Sequence, residues 1–475
     1  MKSDAHPFDT YLSPFTYRYG SQVMRKIWSE DNKRRLWRRV WLALAEAQCF
    51  TGLVTDEQLA DIHLHVSDID IQRALKIEAE IKHDLMAELM VFSEQCSIGG
   101  SVLHLGATSA DIEDNADAIR LKESLDRIII LLRSVLAVLA GQIERWSDTP
   151  VIAFTHLQSA EYTTIGYRLS QYGQDLLIDL TELTRVRGET KGKGFKGAVG
   201  TSASYTMLLA SQASNVSASE LETRAMAALG IESFPVTSQV YPRKQDWYIL
   251  NALAGLAGSL YKFAFDLRLL QSSGIGEMSE SFATTQVGSS AMPFKRNPVE
   301  AEKMNSLARY LSTLPHIAWE NAAHSLLERT LDDSANRRII LPEAFIAAEE
   351  LLLTAYRLIE GLTINNEAIE HNLSTYGIYV ATEPLLMALC LAGADRQEMH
   401  EYIRILISCT KERTATGDYS LLVQNLCSDT KILQYLKKED IWKCLDVRTY
   451  LGNAVEKAVL MARKIVSSIE NEEDK

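Results

Sequence analysis

The segment GSSAMPFKRNP, from Gly288 to Pro298, gathers hydroxyls, cations and an amide within a short stretch. Pro298 suits the first position of a helix, so the segment is predicted to be a loop that leads into a helix N-terminus. A serine in such a loop can lose its proton if backbone N–H groups and Lys295 stabilise the alkoxide. The segment therefore has the groups needed for proton abstraction. A polar surface turn would have the same spacing, and both interpretations stay open.

A second source of acid–base chemistry is His156, which lies in the segment FTHLQ shortly after Pro150. Histidine is the natural general acid near neutral pH. We expect His156 to lie at the start of a helix, where its ring could reach a substrate. A histidine with a purely structural role would have the same local sequence, so this alternative also stays open.

The segment LHLGATSADIEDNAD predicts a helix N-terminus, because Thr108 and Ser109 precede an acidic first turn. The free N–H groups of such a turn can hold a substrate carboxylate. Simple capping of the helix explains the same residues without any ligand. Anion binding is thus an additional hypothesis for this segment.

The segment ERTLDDSANRR combines arginines with hydroxyls near a second helix start. Asp333 and Arg337 are four residues apart, which favours a surface ion pair. Thr330, Ser334 and Arg338 share one helix face, and arginines beside a hydroxyl can grip a phosphate or a carboxylate. A solvated helix laced with salt bridges is the alternative.

Three other segments have the sequence features of known binding sites, but we infer no such function for them. GKGFKG at 192–197 matches a dinucleotide fingerprint, but no strand is predicted before it, and we reject that function. His63 and His65 have no predicted ligand partner, so no metal is inferred. The basic run from Asn32 is predicted to be a solvated helix face rather than a nucleic-acid patch. An apolar core stripe lies beneath its charges: Leu36, Trp37, Val40, Trp41 and Leu44.

The charge balance limits the class of partner. Lys and Arg number 49 and Asp and Glu number 62, so the net charge is 49 − 62 = −13. Such a chain lacks the positive field of a nucleic-acid binder, and a site for an anion must gather positive charge locally. The six cysteines form no C-x-x-C pair, and neither the N-terminus nor the apolar run from Ile128 resembles a signal or a membrane span. We expect a cytoplasmic protein that contacts no membrane.

Long helices dominate the hydrophobic pattern. Only ten prolines occur, and the long proline-free tracts repeat apolar residues every three or four positions. Helices are predicted at 112–146, 247–271, 298–328 and 339–361. The second of these has small or apolar side chains on nearly every side, as in helices buried inside a bundle or between subunits. No alternation of period two is long enough to predict a sheet.

The predicted fold class is therefore all-α, with very long central helices flanked by shorter ones. We predict an N-terminal helical domain at 1–111, a central long-helix bundle at 112–364 and a C-terminal helical domain at 365–475. No internal repeat or low-complexity segment interrupts this organisation.

Taken together, GSSAMPFKRNP, TSADIEDNAD, FTHLQ and ERTLDDSANRR resemble the fumarase/aspartase superfamily. The A-M-P-F-K-R form of the loop, with ERTLDDSANRR, is similar to the adenylosuccinate-cleaving branch rather than to argininosuccinate lyase, fumarase or aspartase. The resemblance runs from YRYGS near Arg18 to roughly Arg404. It implies three helical domains, a homotetramer built around the long helices, and active sites assembled from three subunits.

The resemblance also implies a reaction and no cofactor. The reaction is the release of fumarate from adenylosuccinate, giving AMP, and from the succinylated aminoimidazole carboxamide ribotide (SAICAR), giving AICAR. It requires removal of a weakly acidic Cβ proton, and the carbanion is stabilised as an aci-carboxylate. Two alternatives remain: another fumarate-releasing lyase such as one for argininosuccinate, and a non-catalytic helical scaffold. A scaffold predicts a broken acid–base set, whereas this sequence has a complete one.

By resemblance, Ser289 is the base and His156 is the acid that protonates the leaving nitrogen, with Glu302 orienting the histidine. Lys295 and Asn297 match positions that hold the substrate carboxylates and stabilise the dianion. The serine loop is expected to be a mobile lid that closes on the substrate.

The other matches are binding positions. Thr108 and Ser109 match a carboxylate site. Lys82 stands where some relatives have arginine, which keeps the charge but loses the bidentate fork. Lys303 stands where relatives have arginine or a neutral residue. His104 matches a histidine near the phosphate in bacterial relatives. The nucleotide- and phosphate-binding matches are Arg18, Tyr19, Lys82, His83, Asp84, Gln239, Arg329, Ser334 and Arg338.

Overall fold

The computed structural model describes residues 8–212, 215–283, 285–413 and 420–470. The chain forms two compact units, each built from separated segments. The first unit comprises Met1–Leu132, Asp179–Gly258 and Leu307–Leu353, and the second comprises Arg133–Ile178, Ser259–Ser306 and Thr354–Lys475. The three-domain division along the sequence stays a prediction.

Helices with side-chain caps open the first unit. Ser29, Thr55 and Asp70 each accept a hydrogen bond from the first turn of the helix that follows, as expected of N-cap residues. These helices are α1 (Pro14–Tyr17), α2 (Gln22–Ile27), α3 (Glu30–Phe50), α4 (Asp56–His65), α5 (Ile71–Ile81) and α6 (Asp84–Gln95).

Longer helices follow, and the all-α prediction is confirmed. The long helices predicted from residues 112, 247 and 339 correspond to α7, α11 and α14, although α14 begins seven residues earlier, at Asp332. These helices are α7 (Ser109–Arg145), α8 (Ile165–Glu189), α9 (Ala203–Ser211), α10 (Ala218–Leu229), α11 (Lys244–Leu270), α12 (Val299–Leu311), α13 (Leu314–Ala323) and α14 (Asp332–Glu360).

The single helix predicted over 298–328 is wrong. The structure has two helices there, α12 and α13, with a break at residues 312–313. Pro315 lies in the first turn of α13, where its missing N–H is tolerated. Inside one continuous helix the same proline would remove a hydrogen bond to the preceding turn, so the helix restarts instead.

Small antiparallel pairs of strands correct the expectation that no sheet forms. Strands β1 (Pro150–Thr155) and β2 (Gln158–Thr164) make a hairpin, and β3 (Met278–Ser279) pairs with β4 (Thr363–Ile364). Helices α15 (Asn366–Val380), α16 (Thr382–Leu391), α17 (Arg396–Arg413), α18 (Ser420–Ser428), α19 (Lys438–Cys444) and α20 (Ala454–Glu470) complete the second unit.

The stretch Asn366–Leu391 is long and apolar enough, by length and composition alone, to cross a membrane. The structure divides it at Ala381 into α15 and α16. Leu385 and Leu389 on α16 are fully buried in a core shared with α17, α18 and α19. Such burial is typical of the core helices of a folded domain.

The core of the first unit contains the apolar stripe predicted on α3: Leu36, Trp37, Val40, Trp41 and Leu44 are all buried. The predicted solvated face is wrong at two positions. Arg34 and Arg38 are almost fully buried and both contact the buried carboxylate of Glu88, at 3.0 and 2.7 Å. Buried charges are found where they are paired, and this shared carboxylate removes the need for solvent.

Candidate active site

The serine loop lies between β3 and α12, and its backbone surrounds one hydroxyl. The N–H groups of Ala291 and Met292 donate hydrogen bonds to Oγ of Ser289, at 3.3 and 3.1 Å. Donors directed at a hydroxyl oxygen stabilise its deprotonated form. The arrangement thus supplies the backbone N–H groups that an alkoxide would need.

The shape of the loop depends on Gly288. A Cβ atom there would lie 2.1 Å from the carbonyl oxygen of Lys295, so only glycine allows the backbone at residue 288 to lie this close to the backbone at residue 295. Asn297 closes the loop from the other side, because its Nδ2 donates to the carbonyl of Gly288 at 3.0 Å. Gln271, the residue after the end of α11, donates to the carbonyl of Arg296 at 3.1 Å and connects the loop to the end of a long helix.

The helix after the loop begins at Val299, so Pro298 immediately precedes it. The free N–H groups of Glu300 and Ala301 donate to the carboxylate of Glu280, at 3.4 and 3.2 Å. This capping carboxylate therefore already occupies the helix N-terminus.

The charged side chains around this helix take different positions. Lys295 and Glu302 are exposed. Glu302 lies 3.9 Å from a guanidinium nitrogen of Arg268, and Lys303 pairs with Glu300 at 2.8 Å. The two exposed groups are accessible to a ligand or to another chain.

His156 is at the tip of the β1–β2 hairpin and not at the start of a helix, which corrects the prediction. His156 and Leu157 form the two-residue turn between Thr155 and Gln158, with φ of 53° and 60°. Two left-handed residues in this position are typical of a tight hairpin turn whose twist matches its strands. The turn leaves the imidazole of His156 exposed.

Within the described part of the chain, no hydrogen bond or ion pair joins His156 to Glu302 or to Ser289. The role of Glu302 in orienting His156, and the action of His156 and Ser289 as an acid–base pair, thus stay predictions.

Thr108 and Ser109 lie at the start of α7, as predicted. The acid of this turn is used for packing: Asp111 is fully buried and accepts from the N–H of Thr108 at 3.0 Å. Its carboxylate also pairs with the buried ammonium of Lys193 and accepts from the N–H of Gly197 at 3.1 Å. The GKGFKG segment is therefore a buried structural loop, and the element that precedes it is helix α8.

A cavity of about 800 Å³, including the solvent at its mouth, lies in the first unit. Four of the predicted binding residues line it: Asp84, Arg329, Ser334 and Arg338. Arg338 donates to Asp84 at 2.8 Å, across 254 positions of sequence. Burial raises the pKa of Asp84, but Arg338, Lys33 and a backbone N–H outweigh it, so the pKa lies below its usual range.

A dense set of ion pairs forms the wall of this cavity, and the sequence reasoning did not find most of it. Arg243 contacts Asp333 at 2.6 Å and Asp114 at 3.1 Å. Arg337 contacts Asp246 at 2.7 Å and Asp117 at 3.2 Å. The surface pair predicted between Asp333 and Arg337 is wrong, because both are buried and each pairs elsewhere.

The pKa values of the acids in and beside this wall are strongly shifted. Burial raises the pKa of Asp117, but Arg120 and Arg337 outweigh it and lower the pKa to about 2. Glu113 shows the opposite: burial, with Asp84, Asp114 and Asp117 close by, raises its pKa to about 8. A cavity with one neutral and several ionised carboxyl groups can offer both hydrogen-bond donors and acceptors.

The remaining predicted residues lie outside the lining of this cavity. Lys82 has φ of 59° at the end of α5, and its Nζ donates to the carbonyl of Ala79 at 2.5 Å. His83 caps α6 by accepting from the N–H of Met86 at 3.4 Å. The others in this group are Arg18, Tyr19, His104, Thr108, Ser109 and Gln239.

His104 has a defined tautomer. Nε1 of Trp41 donates to its Nδ1 at 3.0 Å, so the proton of a neutral ring lies on Nε2. Burial lowers the pKa of His104, although Asp111 opposes the shift. The ring is thus held as a neutral hydrogen-bond donor.

The backbones of the other binding residues are also fixed. The N–H groups of Arg18 and Tyr19 both donate to the carbonyl of Pro14, at 2.8 and 3.2 Å, and the N–H of Gln239 donates to the carbonyl of Glu328 at 3.1 Å. No group of three or more His, Cys, Asp or Glu side chains that could hold a metal occurs among the described residues.

The chain matches two family descriptions. "Lyase" matches residues 7–311, and "Adenylosuccinate lyase C-terminus" matches residues 379–458. The second match extends beyond Arg404, where the resemblance carried by the sequence motifs ends.

Curated relatives match over nearly the whole chain. The adenylosuccinate lyase of Saccharomyces cerevisiae is 36% identical over 474 residues, covering 97% of this chain and 96% of the relative. That of Pyrococcus horikoshii is 34% identical and covers 97% of this chain and 99% of the relative. That of Schistosoma mansoni is 39% identical and covers 84% and 83%.

Solved structures share the fold. A fumarate lyase from Mesorhizobium sp. BNC1 superposes with a TM-score of 0.83 at 22% identity, covering 96% of this chain and 99% of that one. A 3-carboxy-cis,cis-muconate lactonizing enzyme from Pseudomonas putida gives the same TM-score and identity, with 95% and 99% covered. At this identity the likeness shows the fold alone.

Proposed function

Because this chain belongs to the adenylosuccinate lyase family, we propose that it cleaves adenylosuccinate to AMP and fumarate, and SAICAR to AICAR and fumarate, in purine nucleotide biosynthesis. The geometry of the serine loop carries the proposal. Two backbone N–H groups are directed at the Ser289 hydroxyl, and an exposed lysine follows in the same loop. This is the chemistry that a proton-abstracting serine requires.

In the proposed reaction, the alkoxide of Ser289 removes a proton from Cβ of the succinyl group. The resulting electron pair is delocalised into the adjacent carboxylate, which Lys295 and Asn297 stabilise as a dianion. That pair then forms the Cα–Cβ double bond of fumarate while the Cα–N bond breaks. His156 supplies the proton that the leaving nitrogen needs.

We propose that complete sites form between copies of the chain, in a homotetramer. Two observations support this. The His156 ring is exposed at a hairpin tip, and within the described residues it has no partner in its own chain. Glu302 is also exposed on α12, where it could orient the imidazole of another copy.

The cavity of the first unit is proposed to bind the nucleotide. Arg329, Ser334 and Arg338 line it and are suited to a phosphate, since guanidinium groups present fixed donor forks to its oxygens. Thr108 and Ser109 are proposed to bind a substrate carboxylate. Lys303, which pairs with Glu300, is retained as a proposed contact of the same substrate.

The proposed elimination requires proton transfers and stabilisation of negative charge, which side chains can provide, so no cofactor is proposed. A cytoplasmic location is proposed as well, and the six free cysteines are compatible with a reducing compartment.

The substrate assay tests the function directly. The purified protein is incubated with adenylosuccinate and, in parallel, with argininosuccinate, and AMP and arginine are measured. We expect AMP and no arginine. Arginine without AMP would identify another lyase of the superfamily, and neither product would point to a non-catalytic scaffold.

Mixing inactive variants tests whether sites are shared. Ser289→Ala and His156→Ala are each expected to abolish turnover and to leave the oligomer intact. In a 1:1 mixture, about one quarter of the sites should combine an intact serine with an intact histidine, because each comes from the competent chain half of the time. No recovery after confirmed subunit exchange would exclude shared sites. Near-normal kcat in Ser289→Ala would exclude the base.

A further inference from the structure

Arg168, near the start of α8, contacts the backbone of the His156 hairpin. One terminal nitrogen donates to the carbonyl oxygen of Ile152 on β1 at 2.6 Å. The other donates to the carboxylate of Glu277 at 3.1 Å. The guanidinium fork therefore joins the hairpin to a second point in the same unit.

Glu277 is a rigid anchor for this fork. Its side chain is fully buried, and its other carboxylate oxygen accepts from Nδ2 of Asn372 at 3.0 Å. Its backbone carbonyl accepts from the N–H of Asn365 at 2.9 Å. Glu277 is held in place by α15 and by the segment before α15. Its carboxylate can therefore fix the position of the Arg168 guanidinium.

The contact to Ile152 lies where the hairpin changes register. Ile152 pairs with Tyr162, but Phe154 pairs with Ser159, so β2 has one extra residue between these pairs. An extra residue of this kind bends a strand pair and re-aims the side chains beyond it. The direction of the hairpin tip, where His156 lies, thus depends on the backbone at Ile152.

We propose that Arg168 is a positioning residue that sets the place of His156 by holding the hairpin at this register change. The inference rests on the role proposed above for His156 as the acid. Arg168 acts through the backbone and through Glu277, and it touches neither the substrate nor the reacting atoms. A displacement of the acid by about 1 Å is enough to lower the rate of a chemical step about 100-fold.

Arg168→Met is expected to lower kcat about 100-fold while KM changes less than about threefold, because the fork is lost and the binding residues remain. Arg168→Lys keeps the positive charge but has a single donor nitrogen in place of the two-pronged fork, so it should recover part of kcat. Arg168→Met combined with Glu277→Gln removes the buried charge along with its partner. It should show the same loss of kcat in a folded oligomer.

The matched control is Arg187→Met. Arg187 lies on the same helix and makes a two-pronged pair with Asp126 at 2.7 and 3.0 Å. The kcat of Arg187→Met should equal that of wild type.

Mixing experiments separate positioning from general damage. If only the histidine is misplaced, Arg168→Met should recover activity when mixed with Ser289→Ala and should not when mixed with His156→Ala. Recovery in both mixtures, recovery in neither, or near-normal kcat of Arg168→Met alone would overturn the inference. The Ser289→Ala and His156→Ala mixture is the control for shared sites. If it fails, shared sites are wrong, and kcat of the Arg168 variants against Arg187→Met still decides the role of Arg168.

Discussion

Glu113 provides a direct test of the electrostatics of the proposed nucleotide cavity. Its carboxyl group is expected to be protonated in the folded protein at neutral pH, because burial and the nearby carboxylates of Asp84, Asp114 and Asp117 raise its pKa to about 8. In the unfolded chain the same group has its ordinary pKa of 4.5. Glu113→Gln replaces a neutral acid with a neutral amide of similar shape.

The sign of the effect follows from proton binding. Between pH 4.5 and 8 the folded state keeps the proton while the unfolded state loses it, so the wild-type free energy of unfolding falls as pH rises. At 1.36 kcal/mol per pKa unit, the wild-type loss from this group is about 0.8 kcal/mol at pH 5 and about 3.3 kcal/mol at pH 7. The variant has no such term. Its stability relative to wild type should therefore improve by about 2.5 kcal/mol from pH 5 to pH 7.

Calorimetry of both proteins at the two pH values measures this difference. For 475 residues the unfolding entropy is about 1 kcal/mol/K, so the Tm gap, which is the Tm of the variant minus the Tm of wild type, should be about 2 to 3 °C higher at pH 7 than at pH 5. Comparing gaps cancels any pH-independent effect of the substitution. Glu30→Gln, which alters an exposed carboxylate at the same cavity, is the control and should show a much smaller change. An equal gap at pH 5 and pH 7 would refute the reasoning.

Three further substitutions probe other parts of the molecule. Gly288→Ala places a Cβ 2.1 Å from the carbonyl oxygen of Lys295, so steady-state assays should show kcat reduced about 100-fold, and a normal kcat would contradict the loop geometry. Lys193→Met leaves Asp111 as an unpaired buried charge and should lower the free energy of unfolding by about 3 to 5 kcal/mol in calorimetry; an unchanged Tm would count against the pair. Arg338→Lys loses the guanidinium fork and should raise KM for adenylosuccinate about tenfold at unchanged kcat, whereas an unchanged KM would remove Arg338 from the phosphate site.

The long helices could be predicted from sequence because their signal is local. A period of three to four residues, sustained over more than five turns without proline, specifies α7 and α11 almost completely. The His156 hairpin could not be predicted in the same way. Its turn has histidine and leucine in left-handed conformations, without the glycine or asparagine that usually marks such turns.

Burial of charge was the other point where local pattern was insufficient. Arg34 and Arg38 look like surface residues until Glu88, which is 54 and 50 positions away, is placed between them. Arg337 likewise pairs with Asp246 rather than with its helix neighbour Asp333. Pairing over such distances depends on the tertiary fold, and no spacing rule along the chain reports it.

The same pairing changes how a chain of net charge −13 can hold a phosphate. Among the described residues, the lining of the cavity has six cations and five carboxyl groups, so acids lie among its cations without outnumbering them. Several of these guanidiniums are already neutralised, as Arg243 is by Asp114 and Asp333. Affinity should then arise from donors fixed in place by their acidic partners, and the protonation of Glu113 removes one negative charge that would otherwise repel the ligand. Site preorganisation, more than an excess of positive charge, is what this arrangement of residues provides.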